Sequence, residues 1–305
     1  MSAAVIPLSR PSFSPLVIAC LAATWLVWGS TYLAIKFALV SFPPFFQMGS
    51  RFVVAGVLLA AWMRWVRRAP WPSAKQWRHA LLVGTLMLGG GMGGTAYAEV
   101  TVGSGLVVAF IAIVPVMMAL GLVFWRELPT RLEALGIAVG LAGVLMLTQG
   151  AGFQSSPAGL VAIATACITW TVGSLLSQRV TPLAPGAMGF ASEMICGGVV
   201  LLALAGLDGE LPTVVANWPP EPSAVAAWLY LVVAGSLIAF NAYMLLLAHA
   251  TPALASSYCY VNPVIAMLLG VTLGGEVVTG AEWGAAAVVL AGVVLLMLGR
   301  RPNQG

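Results

Sequence analysis

Residues 224–248 read AVAAWLYLVVAGSLIAFNAYMLLLA, a run in which no side chain carries a charge. A bilayer core about 30 Å thick takes roughly 20 apolar residues of helix. A run of this length is therefore a membrane span. Nine further long, largely apolar runs are read at 16–35, 45–65, 79–98, 103–125, 131–149, 157–178, 186–206, 253–273 and 281–299. Prolines punctuate the gaps, among them Pro43 and Pro44, Pro70 and Pro72, Pro129, Pro157, Pro182 and Pro185, Pro219 and Pro220, and Pro252. Spans three and four are the least separated, with only Thr101 to Gly105 between them. The runs are continuous instead of alternating in ten-residue segments, which excludes a transmembrane β-barrel. The expected fold class is an all-α membrane protein with ten transmembrane helices.

Composition agrees. The chain has 305 residues, 61% hydrophobic and 7% charged, with a mean hydropathy of +1.01. A soluble domain carries about 25% charged residues, so most of this exterior must face lipid. The net charge of +4 and pI near 9.1 do not indicate nucleic acid, because the basic residues sit in short gaps between apolar runs. Cys20, Cys167, Cys196 and Cys259 each lie inside an apolar run and form no C-x-x-C pair, so they read as small core residues. The first apolar run is longer than the core of a signal peptide and is expected to be retained.

Lys and Arg set the expected orientation. With the N-terminus inside, Arg10, Arg64, Arg67, Arg68, Lys75, Arg78, Arg126, Arg131, Arg179, Arg300 and Arg301 all face the cytoplasm. Only Lys36 and Arg51 fall on the outer side, and the outer gaps hold Glu99, Asp208, Glu210, Glu221, Glu276 and Glu282. The positive-inside rule thus predicts both termini in the cytoplasm of a bacterial inner-membrane protein. Residues 1–15 and 300–305 are the expected cytoplasmic tails.

The chain also repeats itself. Ala96-Tyr97 recurs as Ala242-Tyr243, and Val114-Pro115-Val116 as Asn262-Pro263-Val264. Trp28 matches Trp170, and Ser50-Arg51 with Ala55-Gly56 matches Ser192-Glu193 with Gly197-Gly198. Arg126-Glu127 followed by Gly136 recurs as Gly275-Glu276 followed by Gly284. The halves are 16–149 and 157–299, with five spans each. An odd number inverts the second half, and inverted repeats are the signature of alternating-access carriers with a midplane site.

These residues resemble the EamA-type transporters of the drug/metabolite transporter superfamily. The resemblance covers about 16–299. It rests on Trp28-Gly29-Ser30 with Lys36, on Arg51-Phe52, on Pro115, and on a G-E-x-x-[ST] type junction before a Gly-rich helix. That junction reads Arg126-Glu127-Leu128-Pro129-Thr130 in the first half and Gly275-Glu276-Val277-Val278-Thr279 in the second. The first copy has Arg126 where the family usually has Gly. The resemblance implies a ten-helix fold of two halves and export of small metabolites, often amino acids.

Candidate site residues follow from the spans. Trp25, Trp28, Gly29, Tyr32 and Lys36 share one face of the first helix at 100° per residue. Lys36 reads as a snorkelling residue of the interfacial belt. Trp28 and Tyr32 lie deeper, where lining a cavity and packing the bundle both fit. Gly89-Gly90-Gly91-Met92-Gly93-Gly94 should weaken its helix, by close packing, by bordering a pathway, or both. Its repeat partner, Gly235 to Phe240, leads to Asn241. Pro115 and Pro263 break a backbone bond within their spans, as a hinge or as a static kink, and Asn262 can satisfy a freed carbonyl. Tyr258 and Tyr260 lie two apart, so at most one faces the pathway.

Glu193 and Arg51 are ionisable residues inside spans. Each lies roughly 10 Å inside its own, opposite face, so no direct salt bridge is expected between them. Glu193 fits a proton carrier, and fits equally a local pair with Arg179. Arg51 reads as structural or topological, and Glu127 and Glu276 as carboxylates capping helices. The expected substrate lining is Trp28, Tyr32, Met92, Tyr97, Trp170, Asn241 and Tyr258, with Glu193 for proton coupling and Pro115 and Pro263 as hinges. A mostly apolar, aromatic lining suits a small amphipathic or zwitterionic solute, or an organic cation held by cation–π contact.

No enzyme is expected. Asp208 is the sole Asp, the histidines His79 and His249 sit at span ends, and H-E-x-x-H does not occur. No G-x-x-x-x-G-K-[ST] loop occurs either, so an ion gradient or the substrate gradient is the expected energy source. A non-transporting membrane subunit and an intramembrane enzyme are the remaining alternatives outside transport. No cofactor, metal or nucleic acid is expected; the partners are a small-molecule substrate and the lipid bilayer, with the chain a monomer or weak homo-oligomer.

Overall fold

The computed structural model describes residues 14–102, 107, 110–147, 149, 156–274 and 279–299. Glu276 and the side chains of Tyr32 and Lys36 lie outside that description. The helices are α1 (Pro15–Leu39), α2 (Pro44–Val66), α3 (Ala74–Thr101), α4 (Val114–Trp125) and α5 (Arg131–Leu147). The second half holds α6 (Pro157–Arg179), α7 (Ala187–Leu207), α8 (Pro222–His249), α9 (Tyr258–Gly274) and α10 (Gly280–Leu298). Among the described residues there is no strand, and eight spans are long and apolar enough to cross a membrane. The helix α4 is shorter, and part of its expected first half lies outside the described residues. A short helix, Leu211–Ala216, fills the gap before α8 and was not expected from hydropathy.

Side-chain caps start several of the helices. Ser14 accepts from the Val17 amide with Pro15 in the first turn of α1, and Ser156 does the same for Gly159 ahead of Pro157 in α6. Ser73 and Gln76 close a capping box on α3. The repeated junction has a shared purpose. Thr130 with Glu133 starts α5, and Thr279 with Glu282 starts α10, each threonine hydroxyl accepting from the glutamate amide while the carboxylate accepts from the threonine amide. The reading of Glu127 as the capping carboxylate is therefore corrected, since Glu133 takes that place. Arg126 stands at φ +59°, in the left-handed region that favours glycine. The junction's usual Gly meets that backbone requirement.

The halves interlock as exchanged copies. The helix α2 packs along α7, and α5 along α10. As α1 lies against α8 and α9, so α6 lies against α3 and α4. The two long contacts use glycine for close approach. A Cβ on Gly198 would come within 2.8 Å of the Val53 amide nitrogen and 3.0 Å of the Gly49 carbonyl oxygen. One on Gly292 would meet the Gly140 backbone at 2.5 Å. Without a hydrophobic force between helices in lipid, such contacts bring dispersion and backbone dipoles together.

Both halves depart from α geometry at equivalent places. Thr85–Gly93 in α3 and Leu231–Phe240 in α8 are π-helical. The glycines of the first segment and Gly235 of the second favour this wider turn, which leaves carbonyls open to new donors. Pro263 lies inside α9, as expected. Pro115 instead occupies the first turn of α4, after a turn at 112–113, where a missing amide hydrogen leaves no bond unmade. The expectation of a break within the helix is corrected there.

Candidate functional site

Trp28 of α1 and Trp170 of α6, equivalent in the repeat, meet edge to face with centroids 5.8 Å apart. Tyr258 lies against Trp28 at 4.7 Å, and Tyr243 touches Trp28, Trp170 and Tyr258 at 5.1–5.6 Å. The four rings form one buried cluster between the halves. Backbone geometry positions it. The Trp28 indole N–H donates to the Gly235 carbonyl, 3.3 Å away in the π segment of α8. Trp170 lies against Gly91, where a Cβ would sit 2.9 Å from the ring. The Tyr243 hydroxyl and Ser174 hydroxyl are hydrogen-bonded at 2.9 Å.

Above this cluster a cavity opens between α1, α2, α3, α4, α6 and α9. It holds about 640 Å³ of space, counting its open mouth. Trp28, Trp170 and Tyr258 line it, and its walls rise through Thr31, Met92, Arg51 and Thr95 toward Ile35 and Glu99. Ile35 and Glu99 lie near the ends of α1 and α3, so the cavity reaches toward the end of the bundle where α1 meets α2. Thus Trp28, Met92, Trp170 and Tyr258 are brought together.

Two expected lining residues lie elsewhere. Tyr97 stacks on Phe45 at 5.5 Å and 18°, outside the lining. Asn241 turns its amide back on α8 and donates to the carbonyls of Ser236 at 3.3 Å and Leu237 at 2.9 Å. The π segment supplies those acceptors, which explains the polar residue there. Tyr32 has its side chain outside the described residues. Tyr260 points away from the cavity, donating to the Ile137 carbonyl at 3.2 Å, so of the two tyrosines only Tyr258 lines it. Asn262 is buried in the cavity wall, and its amide, turned to suit its surroundings, donates to the carbonyls of Tyr258 at 3.1 Å and Trp25 at 3.3 Å.

Glu193 is fully buried in α7 and is not part of the cavity lining. Neither of its carboxylate oxygens has a hydrogen-bond partner among the described residues. Its proposed local partner, Arg179, is engaged by Glu127 instead. Arg51 and Glu193 form no ion pair, in keeping with their different depths. Sequence reasoning missed Tyr243, Arg51 and Glu99 as site residues. Tyr243 carried a signal, because it is the repeat partner of Tyr97.

The profile of the EamA-like transporter family matches twice, over residues 15–149 and 157–298. The chain belongs to the EamA-like transporter family. Its relatives include an uncharacterized inner membrane transporter of Escherichia coli, YedA, 40% identical over 279 residues, which are 91% of this chain and 89% of YedA. A probable amino-acid metabolite efflux pump of Salmonella typhimurium is 23% identical over 294 residues, covering 91% and 93% of the two chains. A crystal structure of a protein 23% identical superposes with a TM-score of 0.73 over 95% of this chain and 100% of that one, sharing the fold. The protein is thus a multi-pass membrane transporter.

In this EamA fold side-chain contacts join the helices at the opposite end of the bundle. Arg179 of α6 grips Glu127 through two N–H groups at 2.8 and 2.6 Å. The Trp25 indole donates to the Ser257 hydroxyl at 3.0 Å, and the Gln178 amide donates to the Leu247 carbonyl. At the cavity end, Glu210 from the second half caps α2 of the first, accepting from the amides of Phe45 at 3.0 Å and Phe46 at 2.7 Å. Burial pushes the Glu210 carboxyl above the usual carboxylate range, and the two amides pull it partly back.

Proposed function

We propose that the protein exports small amphipathic or zwitterionic metabolites, amino acids foremost, by alternating access between its two inverted halves. The observation that carries this reading is the ring cluster of Trp28, Trp170, Tyr243 and Tyr258 at the base of the cavity. Equivalent tryptophans of both halves meet there, so a relative movement of the halves must rearrange the floor on which a solute rests. The apolar and aromatic lining suits a solute with an apolar body and few charges. The efflux-pump relative's name points the same way.

With both termini in the cytoplasm, the cavity opens outward and the end held by Arg179 and Glu127 faces the cytoplasm. Thiol reagents applied from outside should then label a cysteine introduced at exposed Asp208, near Glu210, but not one at Lys75; labelling at Lys75 would reverse the orientation. Trp28, Met92, Trp170 and Tyr258 contact the solute in this reading, and Glu193 carries the coupled proton. The chain acts as a monomer or weak homo-oligomer.

Purified protein in liposomes tests the reading directly. Preloaded amino acids should leave vesicles containing protein faster than empty ones. Trp28→Ala and Trp170→Ala should each cut that rate at least tenfold at equal protein abundance. Wild-type rates in both variants would show that the rings only pack the bundle.

A further inference from the structure

Arg51 lies seven residues past Pro44, about 10 Å along α2 at 1.5 Å per residue. Only 2% of its surface is exposed. A topological arginine sits at the membrane face with its guanidinium in water, and this one does not. Its ring contact is with Phe52, whose centroid is 4.6 Å from Cζ. Its Nε and Nη1 have no hydrogen-bond partner among the described residues. A buried charge whose donors lack acceptors is strongly disfavoured in an apolar medium. The same side chain lines the cavity that Trp28, Trp170 and Tyr258 close below. Two donors without an acceptor among the described residues, on a side chain that lines a cavity, point to an anionic group of the solute.

Building on the export reading above, we propose that Arg51 is the carboxylate-binding residue of the cavity and that the transported solute is an amphipathic zwitterion with a single carboxylate. The guanidinium presents coplanar N–H donors that match the two oxygens of a carboxylate. Glu99 is the other charged lining residue, and its field reaches Arg51. One base and one acid leave the lining neutral overall. A net-neutral zwitterion meets both fields favourably, its carboxylate at Arg51 and its ammonium in the field of Glu99. A bare cation meets Arg51 unfavourably, and a polyanion has only one base to answer it. The apolar part of the solute rests on the Trp28 and Trp170 rings, which select against small polar zwitterions.

The test compares solutes that differ by one charged group. Liposomes holding purified protein are loaded with L-phenylalanine, L-leucine or L-methionine, with phenylalaninamide and phenethylamine, which lack the carboxylate, or with N-acetylphenylalanine, which lacks the ammonium. Wild-type protein should release at least one of the three amino acids at least tenfold faster than the amide or the amine. Arg51→Gln should lower that rate at least tenfold and erase the preference, and Arg51→Lys should restore part of it. A measurement on unaltered protein covers the case in which Arg51→Gln folds poorly: L-phenylalanine should quench tryptophan fluorescence in detergent at lower concentration than phenylalaninamide. Equal handling of acid and amide by wild-type protein, or an undiminished preference in well-folded Arg51→Gln, overturns the proposal. Release of the amide and the amine without any zwitterion overturns it while leaving the export reading standing. Release of none of the solutes overturns both.

Discussion

Arg179 and Glu127 join the two halves of the protein through a bidentate pair, Nη1 to Oε1 at 2.8 Å and Nη2 to Oε2 at 2.6 Å. Arg179 ends α6 of the second half, and Glu127 follows α4 of the first. The pair therefore spans the interface at the end of the bundle opposite the cavity mouth. For that end to open, the two side chains must separate.

In the alternating-access reading proposed above, the pair is a latch whose strength is small. Both side chains are partly exposed, at 30% and 44%, and pairs of that kind contribute about 0.2–1 kcal/mol. Glu127→Gln should shift the resting population toward the state open at this end by up to about five-fold, the factor that such an energy allows. A cysteine introduced at Ser257 should react correspondingly faster with a soluble thiol reagent. Exchanging the charges, with Glu127→Arg and Arg179→Glu together, should restore the slower rate. Unchanged reactivity in Glu127→Gln would show that the ion pair does not hold this end closed.

Glu193 is the next test. Its carboxylate is buried without a hydrogen-bond partner among the described residues, and it does not touch the cavity. If it is the proton carrier, Glu193→Gln should abolish acceleration of transport by a pH gradient while substrate exchange across the membrane continues. A variant that responds to the gradient as wild type does would assign Glu193 to packing between α7 and its neighbours.

The helix contacts make a prediction about stability. Gly198 faces the backbone of α2 at Val53 and Gly49, where a side chain has no room. Gly198→Val must push α2 and α7 apart, and overpacking of this kind costs about 1–3 kcal/mol or more. The thermal midpoint in detergent should fall by several degrees. Gly206→Val, on the same helix with nothing within 4 Å of its Cβ, should leave the midpoint nearly unchanged.

Arg126 offers the opposite change. Holding a non-glycine residue at φ +59° costs about 1–2 kcal/mol. Arg126→Gly should relieve part of that and raise the midpoint, with the Thr130–Glu133 cap unaltered. A lower midpoint would mean that the Arg126 side chain contributes more than its backbone strain removes.

Hydropathy and periodicity carried the architecture. The long apolar run 224–248 and its nine companions determined a helical membrane bundle, because lipid cannot satisfy open backbone groups. The matching of Trp28 with Trp170, and of Gly198 with Gly56, exposed the duplication, and an odd number of spans implied its inversion. The junction threonines Thr130 and Thr279 were legible too, as the residues before two Gly-rich helices. All of these are local or periodic properties, written along a single chain.

The site depended on which equivalent residue turned inward, and the sequence by itself could not decide that. Tyr97 and Tyr243 occupy matching positions, yet Tyr97 stacks on Phe45 while Tyr243 enters the ring cluster. Arg51 and Glu193 also match, yet Arg51 faces the cavity and Glu193 is sealed between helices. The reason is physical. Two inverted copies cannot both be open toward the same face, so a carrier closed at one end packs its equivalent residues differently. Repeat symmetry is a property of the sequence, and its breaking is a property of the packed tertiary structure.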